Sequence, residues 1–132
     1  MQLDVNKYIG VPFVDKGRDP ETGLDCLGLI AAVLNDMGIT IPDYNISCFD
    51  STKIGDTARS DMEKYLVQAN PEQGAIVLMS TDPDAPKSIN HFGVCLDKWQ
   101  FIHTSSRTGV LITKRNDRFW QYRIRGYYRW NK

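Results

Sequence analysis

One thiol and two imidazoles stand in surroundings that suit chemistry. Cys26 follows a glycine and an aspartate in "GLDCLGLI" (23–30), and no charged residue lies between it and Leu34. Asp25 is a good helix N-cap, because its carboxylate can accept from the unpaired N–H groups of a first turn. Cys26 then falls at the first helical position. Thiolate is the reactive form of cysteine, and a helix N-terminus is expected to favour it and lower the thiol pKa. The same N–H groups can receive the oxyanion of an acyl intermediate, so Asp25 and Cys26 form the expected cap and oxyanion end. Cys26 also suits the role of small apolar filler in a buried helix, and the residue alone leaves both readings open. Cys48, in the polar stretch "NISCFD", and Cys95, in a strand pattern, have no such helix-end position and read as structural.

A cysteine nucleophile needs a base. The two histidines, His91 and His103, bracket "HFGVCLDKWQFIH", which reads as a hairpin turning near Asp97 and Lys98. Centred on Asp97, it sets position 91 opposite position 103. A register slip of two still leaves both rings on one sheet face, because strand side chains alternate. One ring can act as base while the other orients it through the second nitrogen. Gly93 lies on the same face and is expected to leave space there for the cysteine helix or a substrate. Taken singly, each histidine is as well explained by a structural role.

The elements that must position these groups follow from periodicity and punctuation. Residues 3–9 read as a short helix or turn, and the glycine- and proline-rich residues 10–24 as a structured loop. A helix is expected over 26–37, stopped by Gly38 in a left-handed conformation. "ITIPDY" leaves it as an extended stretch into a loop. A second helix is expected over 57–68, with Ser60 and Glu63 as a capping box and Met62, Tyr65 and Leu66 as its apolar stripe. Strands are expected at 75–80, 91–96, 100–104, 109–113 and 120–129, with a long polar loop at 80–90 that serves as a substrate flap or a plain connection. Helices first and strands after predict an α+β fold with an antiparallel sheet. The basic, aromatic segment 114–132 reads most simply as a strand with one solvated face.

Composition narrows the partners. The 132 residues are expected to form one domain spanning 1–132. Sixteen basic residues balance sixteen acidic ones, which gives no reason to expect a nucleic-acid partner. No apolar run approaches the roughly 18 residues that span a bilayer, so no membrane insertion is expected. Residues 1–4 lack the basic-then-apolar pattern of a secretory leader, and synthesis in a bacterial cytoplasm without one is expected. The spacing of the three cysteines fits neither a disulfide framework nor a zinc site, and no metal or cofactor is implied.

Together, "YIGVPFVDKGRDPETGLDCLGLI" (8–30), "INHFGVCL" (89–96), "FIHTSSRTGVLI" (101–112) and "GYYR" (126–129) resemble the NlpC-type family of papain-like cell-wall peptidases. The resemblance implies a nucleophile helix packed on an antiparallel sheet of about five to six strands. It implies Cys26 as nucleophile, His91 as base and His103 as the third polar residue, with Asp25 as the acidic residue before the cysteine. Phe13, where many members carry tyrosine, is expected to border the substrate together with Asn90 and Gly93. The implied reaction is hydrolysis of a peptidoglycan stem peptide, commonly beside a D-glutamyl residue. Leu27, where serine is frequent, and the "GYYR" ending look most like the branch found in tailed-phage tail proteins. That branch implies tail proteins as partners and a virion tail as the setting. Two other classes compete: a tail assembly protein that keeps the fold, and an amidase or acyltransferase with the same thiol chemistry.

Overall fold

Asp25 caps its helix as its chemistry requires. In the computed structural model, which describes residues 3–131, its backbone is extended and its carboxylate accepts from the Gly28 N–H. The helix is α1 (Cys26–Asp36). Gly38 ends it at φ 84°. There the Gly38 N–H donates to the Asn35 carbonyl and the Ile39 N–H to the Leu34 carbonyl, which satisfies orphan carbonyls of the last turn. Cys26, Leu27, Leu29, Ile30, Val33 and Leu34 are all buried, so α1 is a central element rather than a surface one.

The second helix, α2 (Ser51–Lys64), starts well before position 57. Its cap is Asp50, which accepts from the Lys53 N–H, and Ser60 and Glu63 lie in its interior. A capping box cannot form there, because interior N–H groups already have helical partners. The packed stripe is Ile54, Ala58 and Met62, four residues apart. Beyond Tyr65 the chain turns extended instead of continuing as helix to 68.

Among the described residues, eight strands complete the fold. β1 (Arg18–Asp19) and β2 (Gly23–Leu24) make a small hairpin inside the loop that precedes α1. The others are β3 (Leu66–Gln68), β4 (Ile76–Met79), β5 (His91–Cys95), β6 (Gln100–Ser105), β7 (Gly109–Lys114) and β8 (Ile124–Trp130). They form one antiparallel sheet in the order β3-β8-β4-β5-β6-β7. Two helices and a six-stranded antiparallel sheet are the α+β arrangement expected. The strand expected over 120–129 begins only at Ile124. Before it, the Asp117 carboxylate accepts from the Phe119 and Trp120 N–H groups and winds 117–123 into turns.

Alternation gives the sheet two unlike faces. Ile76, Leu78, Phe92, Val94 and Ile102 pack with α1 and α2. Ala75, Val77, Met79, Cys95 and Phe101 pack under Trp120, Ile124 and Tyr127. Among the described residues, no helix is long and apolar enough to cross a membrane.

The contact between α1 and the loop before it is tight enough to test. A Cβ placed on Gly28 would sit 2.1 Å from the Gly17 carbonyl oxygen. Helix propensity alone favours Gly28→Ala by about 1 kcal/mol. Overpacking against rigid backbone opposes it by about 1–3 kcal/mol. We expect the clash to win and the urea midpoint to fall with an unchanged slope. An increased midpoint would show that the loop yields freely.

Candidate active site

Cys26 is the first residue of α1 and 2% exposed. Four N–H groups at a helix start have no helical partner. Here the Asp25 N–H donates to the Gly17 carbonyl and the Gly28 N–H to the Asp25 carboxylate. The Leu27 N–H is turned to the Cys26 sulfur, and among the described residues no side chain or loop acceptor engages the Cys26 N–H, which leaves that donor free at the mouth of the helix. Asp25 itself is fully buried. Its carboxylate also accepts from the Lys16 N–H at 2.8 Å and from the Arg18 guanidinium at 2.8 Å. A buried carboxylate needs such partners. Arg18 carries no motif of its own in the sequence; a cap aspartate at an apolar helix start is the one signal that a cation lies near.

The Cys26 sulfur faces Cys48, with the two Sγ atoms 3.1 Å apart. The hydrogen bond to Cys48, then burial, pushes the Cys26 thiol well up. The nearby Asp25 charge adds to this, and the Leu27 N–H opposes it. The expectation of a lowered thiol pKa is therefore reversed in this arrangement. Helix-end N–H groups act on the sulfur, but a neighbouring thiol and exclusion of water outweigh them.

His91 and His103 do meet. His91 Nε2 lies 2.9 Å from His103 Nδ1, and His103 Nε2 lies 2.7 Å from Thr113 Oγ1. The hairpin register differs from the one centred on Asp97. Val94 pairs with Ile102 and Cys95 with Phe101, which centres the turn on Lys98. The Asp97 carboxylate accepts from the Trp99 and Gln100 N–H groups and so adds a residue to the turn. The slip preserves parity, so the rings stay on one face as diagonal neighbours. Trp120 stacks on His91, with centroids 5.0 Å apart at 21°, and presents its edge to His103 at 4.6 Å. The expected solvated strand gave no hint of this cover. Burial pushes His91 down to about 4, and burial with the neighbouring His91 pushes His103 down to about 3.

The space expected at Gly93 is used by the protein itself. A Cβ there would meet the Ile102 carbonyl oxygen at 2.8 Å, the Phe101 ring at 3.1 Å and His103 Cβ at 3.3 Å. Strand β6 fills the gap, and α1 packs instead on the Phe92 and Val94 face. Among the described residues, no hydrogen bond joins Cys26 to either histidine. Asn90 closes the base of the 80–90 loop: its N–H donates to the Met79 carbonyl and its side-chain oxygen accepts from the Thr81 N–H. Phe13 is half-buried and packs on Phe49, ring centroids 5.8 Å apart.

The buried imidazoles make stability depend on pH with a definite sign. In the unfolded chain histidine titrates near the ordinary value of 6.5. Between that value and the folded values the unfolded chain binds protons that the folded chain refuses. Stability is therefore full above about pH 6.5 and falls as pH drops toward about 4. Urea midpoints at about pH 7 and about pH 5 measure this, and changing both residues to Gln should shrink the difference. A midpoint that does not move would mean the rings are solvated.

The sequence pattern of the NlpC/P60 family matches residues 10–129. The chain is 30% identical over 124 residues to the gamma-DL-glutamyl hydrolase of Bacillus subtilis, covering 93% of this chain and 27% of that protein. It is 25% identical over 108 residues to the murein DD-endopeptidase MepS/murein LD-carboxypeptidase of Escherichia coli K12, covering 81% of this chain and 50% of that one. It thus spans half or less of these relatives' lengths. An NLP/P60-family structure from Staphylococcus aureus, described as similar to lipoprotein, superposes with a TM-score of 0.67 at 23% identity, covering 96% of this chain and 38% of that one. NlpC2 from Trichomonas vaginalis superposes at 0.66 and 22% identity, covering 97% and 44%. With a family match over nearly the whole chain and neighbours that share its fold, this chain belongs to the NlpC/P60 family.

Proposed function

We propose that the chain is a cysteine peptidase that hydrolyses a peptide bond of bacterial peptidoglycan stems, next to a D-glutamyl residue. The observation that carries this is the hydrogen-bonded run from Thr113 through His103 to His91. It engages three of the four ring nitrogens and leaves His91 Nδ1 for a proton from elsewhere. For Nδ1 to accept, His91 must hold its own proton on Nε2 and donate it to His103 Nδ1. His103 then carries its proton on Nε2, toward Thr113. The run accommodates the tautomer a base needs, because the Thr113 hydroxyl can accept from His103 Nε2, and orienting the base ring is the task of the third member of a catalytic triad. The names of the relatives, a glutamyl hydrolase and a murein endopeptidase, support the choice of substrate.

In the proposed reaction the Cys26 sulfur leaves Cys48 and takes His91 as its base. His91 Nδ1 takes the thiol proton as sulfur attacks the scissile carbonyl. The oxyanion is met by the Cys26 N–H at the start of α1. His91 returns the proton to the departing amine, leaving a thioester. Water, deprotonated by His91, then releases the acid and restores the thiol. Phe13 and Asn90 border the substrate in this reading. The tail-associated setting rests on the resemblance in Leu27 and the 126–129 ending.

Purified peptidoglycan with mass spectrometry of the fragments tests the proposal. Wild type should release fragments cut at the glutamyl bond. Cys26→Ala and His91→Ala should each fall by about a thousandfold or more while remaining folded. Thr113→Val should lose about tenfold in kcat with little change in KM and a shifted acid limb of the pH profile. No cleavage by folded wild type would move the assignment to the assembly role.

A further inference from the structure

We propose that Cys48 and Cys26 are a reversible oxidation pair, and that closing a disulfide between them locks the nucleophile. The sulfurs already lie 3.1 Å apart as free thiols, so each is the other's most available reaction partner. A disulfide needs about 2.05 Å between sulfurs, roughly one ångström of approach. The two residues come from different elements, α1 and the loop before α2. What holds them together is a built scaffold. The Asp15 carboxylate accepts from the Cys48 N–H at 2.8 Å and from the Ser47 hydroxyl at 2.7 Å. The next residue, Lys16, donates its N–H to Asp25, directly before Cys26. Adjacent residues of one loop therefore grip both halves of the pair. Lys16 adopts φ 63° to do so, the one positive φ outside glycine among the described residues. Phe49, 69% exposed, lays its ring on Phe13 and tethers the far side of the Cys48 loop.

The pair is asymmetric in access. Cys48 is half-buried and Cys26 is buried, so a small oxidant meets Cys48 first. With hydrogen peroxide, Cys48 sulfur attacks one peroxide oxygen, the O–O bond breaks, and a sulfenic acid and one water form. The Cys26 thiol then attacks the Cys48 sulfur, an S–S bond forms, and a second water leaves. Two thiols are oxidised by two electrons and one peroxide is reduced. A dithiol reverses the step by exchange. Cys95 takes no part. It is buried in β5 among Ala75, Val77 and Phe101 on the other face of the sheet.

The effect on catalysis rests on the proposed cysteine-peptidase reading, whereas the bond itself does not. The full chain, reduced and freed of reductant, is treated with a small excess of hydrogen peroxide. Intact mass should show loss of two hydrogens, and peptide mapping should join the Cys26 and Cys48 peptides and leave Cys95 alkylatable. Peptidoglycan hydrolysis should be lost and then restored by dithiothreitol. Cys48→Ser should keep the activity of the reduced wild type, form no cross-link, and under a larger excess of peroxide lose activity without recovery by dithiothreitol as Cys26 is carried to the sulfinic or sulfonic acid. Failure of wild type to cross-link, or equal recovery of Cys48→Ser, would overturn the proposal. A cross-link in a protein that never hydrolyses peptidoglycan would support the pair and overturn the peptidase reading instead.

Discussion

The carboxylate of Asp25 is the contact on which the rest of the site depends. It is fully buried, where an unpaired charge is costly. Its burial is tolerable because donors converge on it from three directions: the Gly28 N–H of α1, the Lys16 N–H of the preceding loop, and the Arg18 guanidinium. Arg18 extends the network to the Asp43 carboxylate and the Tyr44 carbonyl. One anion thereby gathers the loop before α1, the helix itself and the segment after it. It determines where the helix begins, and hence which residue occupies the first position with its N–H unspent.

The same economy of donors governs the second half of the site. Two imidazoles placed in a dry pocket repel a second proton and compete for the first. Burial under Trp120 settles the competition by keeping both neutral, and Thr113 terminates the chain of hydrogen bonds. A threonine hydroxyl suits that end because it can both accept and donate. A carboxylate there would raise the basicity of the pair, but at the cost of a further buried charge beside β7.

The features legible in the sequence are those decided over a few residues or by parity. The cap, the first position of Cys26 and the stop at Gly38 are local hydrogen-bond problems, and local pattern solves them. The histidine pairing survived a register error because a slip of two cannot change a face. The second helix was misplaced because a capping box at Ser60 outbid the plainer Asp50, although Ile54, Ala58 and Met62 repeat at helical spacing. The positions of Arg18, Cys48 and Trp120 are illegible in the sequence for a different reason. Each reaches its place through a loop with no periodicity of its own, so tertiary packing alone brings it there. Gly93 is instructive in the opposite sense. A missing side chain was read as space for a partner, whereas strand pairing consumed it.

The resting chemistry imposes an order on any reaction at this site. The Cys26 thiol is held up by Cys48 and by burial, while His91 is held down to about 4. Moving a proton from such a thiol to such an imidazole is uphill, so a standing thiolate–imidazolium pair is not stored here. Charge separation becomes affordable only when something compensates the sulfur and the ring together. In the proposed reaction an acyl substrate does both, because its carbonyl converts sulfur charge into an oxyanion at the start of α1. On the proposed mechanism, proton transfer and carbonyl attack are therefore one event.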